Sequence, residues 1–82
     1  MILRTRNGKT FNTDTDLSAE ERHILQKLIL WKSMVSSVDQ FRQKKQDALL
    51  MGWNNSGPVR ESDALRTIIA DMEEQVNLRL GK

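Results

Sequence analysis

The chain has 82 residues, of which 38% are hydrophobic and 29% charged, with a formal net charge of +2 and no cysteine. This balance is typical of one small folded domain and excludes a highly charged disordered chain. It also excludes a disulfide scaffold, and no apolar run approaches the roughly 20 residues that cross a bilayer. We therefore expect a cytoplasmic protein without a membrane segment, organised as a single domain over residues 1–82.

Residues 1–16 are predicted to form a short arm or a β-hairpin. Asn7 and Gly8 suit a type I′ turn, in which both central residues have positive φ, and this turn would pair Thr5 with Thr10. The same register places two cations opposite each other, and an isolated two-stranded hairpin is marginal in water. The sequence therefore leaves both a hairpin and an extended arm open.

Residues 17–52 are predicted to form a long first helix, with its helical part at about 18–51. Ser18 and Glu21 have the spacing of a capping box, which marks a helix start. No proline or glycine follows until Gly52, which suits the residue of positive φ that ends many helices. A helix of this extent would be on the order of 50 Å long.

The first helix carries more apolar surface than one partner helix can bury. Its main apolar seam repeats with spacings of 4, 3, 4 and 3, as in a coiled coil, and two further apolar residues lie to one side of it. We expect the surplus to be buried against a second copy of the chain. The predicted oligomer interface consists of Ile24, Leu25, Leu28, Ile29, Trp31, Val35 and Val38.

The rest of the chain is predicted to form a loop at 53–57 and a second helical segment at 58–82. The helix within this segment should end at about residue 80. Pro58 suits the first turn of a helix, because its missing N–H is not needed there. A later start, with Ser62 as the cap, is the alternative. The predicted fold class is therefore all-α: an antiparallel helical hairpin that dimerises into a four-helix arrangement.

No residue pattern in the chain points to catalysis or to a cofactor. Cysteine and tyrosine are absent, and the single histidine has no acid or nucleophile placed beside it by the sequence. We interpret the chain as a small non-enzymatic interaction protein, with an adaptor, regulatory or accessory role, that forms a homodimer. Arg42, Lys45 and Trp53 are candidate contacts for an unidentified protein partner.

Two other functions fit parts of the sequence. A dimeric nucleic-acid-binding factor would use cations of the arm and of the first helix, although these do not form a stripe. Those cations are Arg4, Arg6, Lys9, Arg42, Lys44 and Lys45. A metal-binding helical bundle is a more remote alternative, because Glu20 and His23 have the Glu-x-x-His spacing of di-iron proteins.

Overall fold

The computed structural model describes residues 1–52 and 57–80. This part of the chain is mostly helical and contains one small antiparallel sheet. Its strands are β1 (Ile2–Arg4) and β2 (Thr10–Asn12), and its helices are α1 (Thr13–Asp16), α2 (Ala19–Lys32), α3 (Val38–Met51) and α4 (Asp63–Arg79). None of the described helices combines the length and the apolar content needed to cross a membrane.

Strands β1 and β2 form the hairpin that the Asn-Gly pair predicts, but in a different register. Arg4 lies opposite Thr10, whereas the predicted turn placed Thr5 there. The loop is one residue longer, because Thr5 N–H donates to Lys9 O (2.8 Å) and Gly8 N–H donates to Thr5 O (3.0 Å). Gly8 has a φ of 90°, as the bulge residue of a three-residue loop requires.

The predicted start of α2 is confirmed. The Ser18 hydroxyl accepts a hydrogen bond from Glu21 N–H (3.2 Å), and Glu21 Oε1 accepts one from Ser18 N–H (2.9 Å). These two bonds form the complete capping box that the spacing indicates. Gly52, at the end of α3, has the predicted positive φ, at 73°.

The single long helix predicted over 18–51 is wrong, because the chain turns at residues 33–37. At the end of α2, the N–H and the hydroxyl of Ser33 both donate to Leu30 O, at 3.3 Å and 2.8 Å. Serine side chains compete with helical hydrogen bonding in this way and favour helix ends over helix interiors. The Leu30 carbonyl, in the last turn of α2, is therefore satisfied locally.

Helix α3 begins at a second cap. The Ser37 hydroxyl accepts a hydrogen bond from Gln40 N–H (3.0 Å), and Gln40 Oε1 accepts one from Ser36 N–H (2.8 Å). From the far end of the chain, the Arg79 guanidinium donates to Lys32 O (2.8 Å) and Val35 O (2.9 Å). These local caps and the tertiary contact with Arg79 together stabilise the turn between α2 and α3.

The cap at Ser37 provides a direct test of this turn. Ser37→Ala is expected to lower the free energy of unfolding by about 1 kcal/mol, because alanine cannot accept the bond from Gln40 N–H. Ser37→Asp should recover most of this loss, since aspartate is an equally good N-cap. Urea denaturation of the three proteins measures both effects. A stabilised alanine variant would contradict the turn, because alanine is the best helix former inside a continuous helix.

The second helix, α4, begins at Asp63. The predicted start at Pro58 is therefore wrong, and the alternative start, with Ser62 as the cap, is confirmed. The Ser62 hydroxyl caps α4 by accepting from Leu65 N–H (3.2 Å). Before this cap, residues 57–61 have no regular structure, and Val59 N–H donates to Leu49 O (2.7 Å) in α3. This contact ties the start of α4 to the end of α3.

Helices α2 and α4 run parallel to each other. Near their N-termini, Ser62 N–H donates to Glu21 Oε2 (2.9 Å), and near their C-termini, Lys32 Nζ donates to Gln75 Oε1 (2.8 Å). Helix α3 leaves the end of α2 and finishes beside the start of α4, so it runs antiparallel to both. The turn therefore replaces the predicted hairpin of two helices with a bundle of three, in which each helix contacts the other two and the β-hairpin packs on one side.

The core lies where α2, α3 and α4 meet. Its buried hydrophobic residues are Leu17, Ile24, Leu25, Leu28, Val35, Phe41, Ala48, Leu65, Ile68, Ile69, Met72 and Val76. Apolar side chains of the hairpin, Leu3 and Phe11, pack against this cluster while remaining partly exposed. Helix α3 therefore covers apolar surface of α2 that the sequence pattern left without a partner.

Candidate interaction surface

The structure divides the seven residues of the predicted oligomer interface into two groups. Four of them, Ile24, Leu25, Leu28 and Val35, are buried inside the chain itself. This corrects the predicted interface, because a side chain already covered by its own chain adds no buried area when a second copy binds. The other three, Ile29, Trp31 and Val38, are half-buried and still accessible.

The most exposed apolar side chains near the predicted interface lie at the end of α2. Leu30 is 59% exposed and Met34 is 68% exposed. Met34 lies two residues beyond α2, and its N–H donates to Trp31 O (2.9 Å), which keeps it within one turn of the backbone from Leu30 and Trp31. We call Leu30, Trp31 and Met34 the α2 end patch.

A cation from α3 covers part of this patch. Lys44 Nζ lies 5.3 Å from the centroid of the Trp31 ring, within the range of a cation–π interaction. This contact holds the indole against α3 and places positive charge on the Trp31 side of the patch. The patch is therefore apolar in its centre and cationic at one margin.

Other large apolar side chains are exposed elsewhere on the described surface. They are Met1, Ile2, Leu50, Met51 and Leu78. Scattered exposed apolar residues are normal on proteins, because polar surface alone cannot cover a small domain. Met1 and Ile2 are neighbours in the chain, as are Leu50 and Met51, so the α2 end patch differs from them by the aromatic residue that lies between its two exposed side chains in the sequence.

The predicted partner contacts on α3 are engaged within the chain. Arg42 Nε lies 3.4 Å from Glu73 Oε2, and Lys45 Nζ lies 3.8 Å from Glu73 Oε1. Arg42 also pairs with Asp39 at 3.3 Å. These ion pairs join α3 to α4, so Arg42 and Lys45 have a structural role. The third predicted contact, Trp53, lies outside the described residues.

Four of the six cations assigned to nucleic-acid binding have partners within the chain. Arg42 and Lys45 share the carboxylate of Glu73, and Arg6 lies 3.7 Å from Glu74. Lys44 faces the Trp31 ring. Phosphate binding relies on clustered cations that release counterions, and these four have partners within the chain. The structure therefore adds no support to this alternative.

Within residues 1–52 and 57–80, no three or more histidine, aspartate or glutamate side chains are grouped so that they could hold a metal ion. Glu20 is exposed in the first turn of α2, and His23 is half-buried one turn later. The α4 carboxylates that could have completed a site, Glu73 and Glu74, are paired with cations. The structure thus adds no support to a metal-binding bundle.

Glu21 has a lowered pKa. Burial raises the pKa of Glu21, but hydrogen bonds from Ser18 and Ser62 together outweigh burial, so the pKa lies below its ordinary value of 4.5. Its two oxygens accept from the N-cap amides of α2 and α4. This arrangement stabilises the packing of two helix starts. The contact with Ser62 could not be read from the sequence.

Comparison of this chain with protein-family models, curated proteins and solved structures finds no match. Its function must therefore be inferred from its own residues and surfaces. The α2 end patch is a described feature that a binding partner could use.

Proposed function

We propose that this protein is a small, non-enzymatic cytoplasmic interaction protein with an adaptor, regulatory or accessory role, and that it acts as a homo-oligomer. The observation that carries this proposal is the α2 end patch, in which Leu30 and Met34 are 59% and 68% exposed beside Trp31. Burying a large apolar side chain contributes about 1.5–3 kcal/mol, so covering this patch favours association.

A second copy of the chain is the partner that this patch fits. In a two-fold dimer the same residues face each other, and apolar side chains are complementary to their own copies. Methionine is flexible enough to fill an irregular contact, whereas Trp31, held by Lys44, offers a fixed surface.

The dimer should be weak, because most of the apolar surface assigned to it from the sequence is already buried in the core. A stable interface usually buries about 800 Å² on each partner, which a patch of three side chains does not supply alone. We therefore expect dissociation on dilution. Contacts with a different protein would use the same patch in the monomer.

Leu30→Glu is expected to abolish the dimer, because it places a charge at the centre of an apolar contact. Sedimentation over a range of protein concentrations measures the mass: the unchanged protein should approach twice the chain mass, and the variant should stay monomeric. Leu78→Glu is the matched control, since Leu78 is 55% exposed and also lies in the last turn of its helix. It should dimerise normally.

Two results would refute self-association through this patch. One is an unchanged protein that remains monomeric at every concentration. The other is a Leu30→Glu variant that dimerises as strongly as the Leu78→Glu control. Circular dichroism of both variants establishes that each remains folded.

A further inference from the structure

A second surface feature lies on the other side of α2, between the β-hairpin and the parallel helices. It is a groove of about 280 Å³ beside β1. Its apolar wall is formed by Leu3, Ile29, Ile68 and Met72. Ile68 and Met72 are each 4% exposed and belong to the core, so this wall is fixed by the packing of α4. We call this feature the hairpin groove.

Two cations line the hairpin groove without a carboxylate partner. Arg4 comes from β1 and Lys32 from α2. Lys32 Nζ donates to Gln75 Oε1 (2.8 Å), and an ammonium group has three donors, so two of them remain for another acceptor. Within the described residues, no carboxylate lies at ion-pair distance from either cation. The groove thus offers unpaired positive charge beside an apolar wall.

The one carboxylate in the groove, Asp71, is occupied by donors of the chain. Asp71 Oδ1 accepts from Arg6 N–H (3.0 Å), and Oδ2 accepts from Gln75 Nε2 (2.7 Å). Gln75 in turn holds Lys32 through its carbonyl oxygen. Asp71 therefore fixes the position of Lys32 through Gln75. The ammonium group of Met1, which also lines the groove, is balanced by Asp14 at 3.2 Å. The two other cations against one carboxylate leave the groove with an excess of one positive charge.

We propose that the hairpin groove binds a small amphipathic monocarboxylate. The alkyl or aryl body lies against Leu3, Ile29 and Met72, and the carboxylate accepts hydrogen bonds from Lys32 and Arg4. A single negative charge matches the excess positive charge of the groove, and guanidinium and ammonium groups form strong charge-assisted bonds with carboxylates. The volume lies just below the usual range of ligand sites, so the ligand is small.

Titration of isotope-labelled protein with hexanoate, followed by NMR, tests this site directly. Hexanoate is expected to shift the signals of Leu3, Ile29 and Met72, and to bind about tenfold or more tightly than hexanol, which has the same chain without the charge. Hexylamine should not bind, because the excess charge repels it. Equal binding of hexanoate and hexanol, or shifts that do not map to the groove, would overturn the proposal.

A series of carboxylates separates a shaped groove from adsorption on the surface. From butanoate to hexanoate, affinity should rise by about fourfold for each added methylene, as burial of the chain predicts. From hexanoate to decanoate, it should stop rising once the chain extends beyond the groove. A steady rise up to decanoate would show adsorption without a defined site and would overturn the proposal.

Three variants identify the groups that bind. Lys32→Met should weaken hexanoate binding about tenfold and leave hexanol binding unchanged. Ile29→Phe should reduce binding of both molecules, because it fills the groove. Lys27→Met, which removes an exposed lysine from another face of α2, is the control and should bind like the unchanged protein. If Lys32→Met and Lys27→Met bind hexanoate equally, the assignment of the carboxylate is wrong.

This site is independent of the proposed dimer. The titration is repeated with the Leu30→Glu variant, in which the α2 end patch is disrupted and the hairpin groove is unchanged. Hexanoate should bind both proteins equally. If the Leu30→Glu variant does not bind hexanoate, the proposal of a site within one chain is wrong. If the unchanged protein is a monomer but binds hexanoate, only the proposed dimer is wrong.

Discussion

Phe41→Ala is expected to lower the free energy of unfolding by about 3–5 kcal/mol, the largest effect of any single substitution considered for this chain. Phe41 is completely buried in the core face of α3. Its removal deletes the apolar contacts of a whole ring and leaves a cavity that the three helices cannot close fully. Since small domains have only about 5–15 kcal/mol of stability, the variant should be close to unfolding at room temperature.

Urea denaturation followed by circular dichroism measures this loss. The matched control is Leu50→Ala, in the same helix, where the side chain is 65% exposed. It should change the free energy of unfolding by no more than about 0.5 kcal/mol. Equal losses for the two variants would contradict the orientation of α3 described here, because they would place both residues in similar surroundings.

Glu21→Gln is expected to lower the free energy of unfolding by about 1.5–3 kcal/mol near neutral pH. The carboxylate accepts from Ser18 N–H and Ser62 N–H, both at 2.9 Å, and its side chain is almost completely buried. A glutamine has one acceptor oxygen and would direct its NH₂ group at one of these amides. One N-cap amide would then lose its partner.

The pH dependence of this effect follows from the lowered pKa of Glu21. Because the folded-state pKa lies below the ordinary value of 4.5, the stabilisation is complete well above pH 4.5 and is lost as the pH falls through the folded-state value. The difference between unchanged protein and Glu21→Gln should therefore shrink in acid. Denaturation near neutral pH and at about pH 3 measures the change.

Glu20→Gln is the control for this experiment. Glu20 is exposed in the same first turn of α2, so its replacement removes a favourable interaction with the helix dipole, worth about 0.3–1 kcal/mol, without breaking the bridge to α4. The loss for Glu21→Gln should clearly exceed this value. Equal losses of unfolding free energy at the two positions would show that the contact of Glu21 with Ser62 does not stabilise the fold.

Local signals in the sequence were sufficient to place several elements. The capping spacing of Ser18 and Glu21 gives the start of α2 correctly, and Gly52 has the positive φ expected at a helix end. The Asn-Gly pair indicates a hairpin but not its register, because a loop of two or three residues can use glycine. The register depends on hydrogen bonds that form only in the folded hairpin.

The apolar spacing does not predict the turn at 33–37, although the sequence contains a local signal for it. Ser37 and Gln40 have the Ser-x-x-Gln spacing of a helix start. The apolar spacing continues through the turn, from Trp31 through Val35 to Val38, and this continuity favours an unbroken helix. Periodicity alone cannot show that the segment between two buried residues is a turn.

The candidate surfaces depend on that turn. Because the chain reverses after α2, α3 and α4 cover Ile24, Leu25 and Leu28, which the sequence assigned to a second copy. Leu30 and Met34 remain outside. The hairpin groove combines residues from β1, α2 and α4, and such distant combinations cannot be read from spacing in one sequence. Arg79, which contacts the turn from the end of α4, is another such case.

The reversal of the chain at 33–37 can be tested by one distance. Since the chain has no cysteine, spin labels can be attached through cysteines placed at the exposed Glu20 and Asp47, with excess unlabelled protein present to dilute pairs between subunits. Neighbouring helices pack about 8–10 Å apart, so α2 and α3 folded against each other should give a label separation of about 10–20 Å. One continuous helix would separate these positions by roughly 40 Å, which exceeds the 34 Å length of the described fold. A separation of that size would contradict the reversal of the chain.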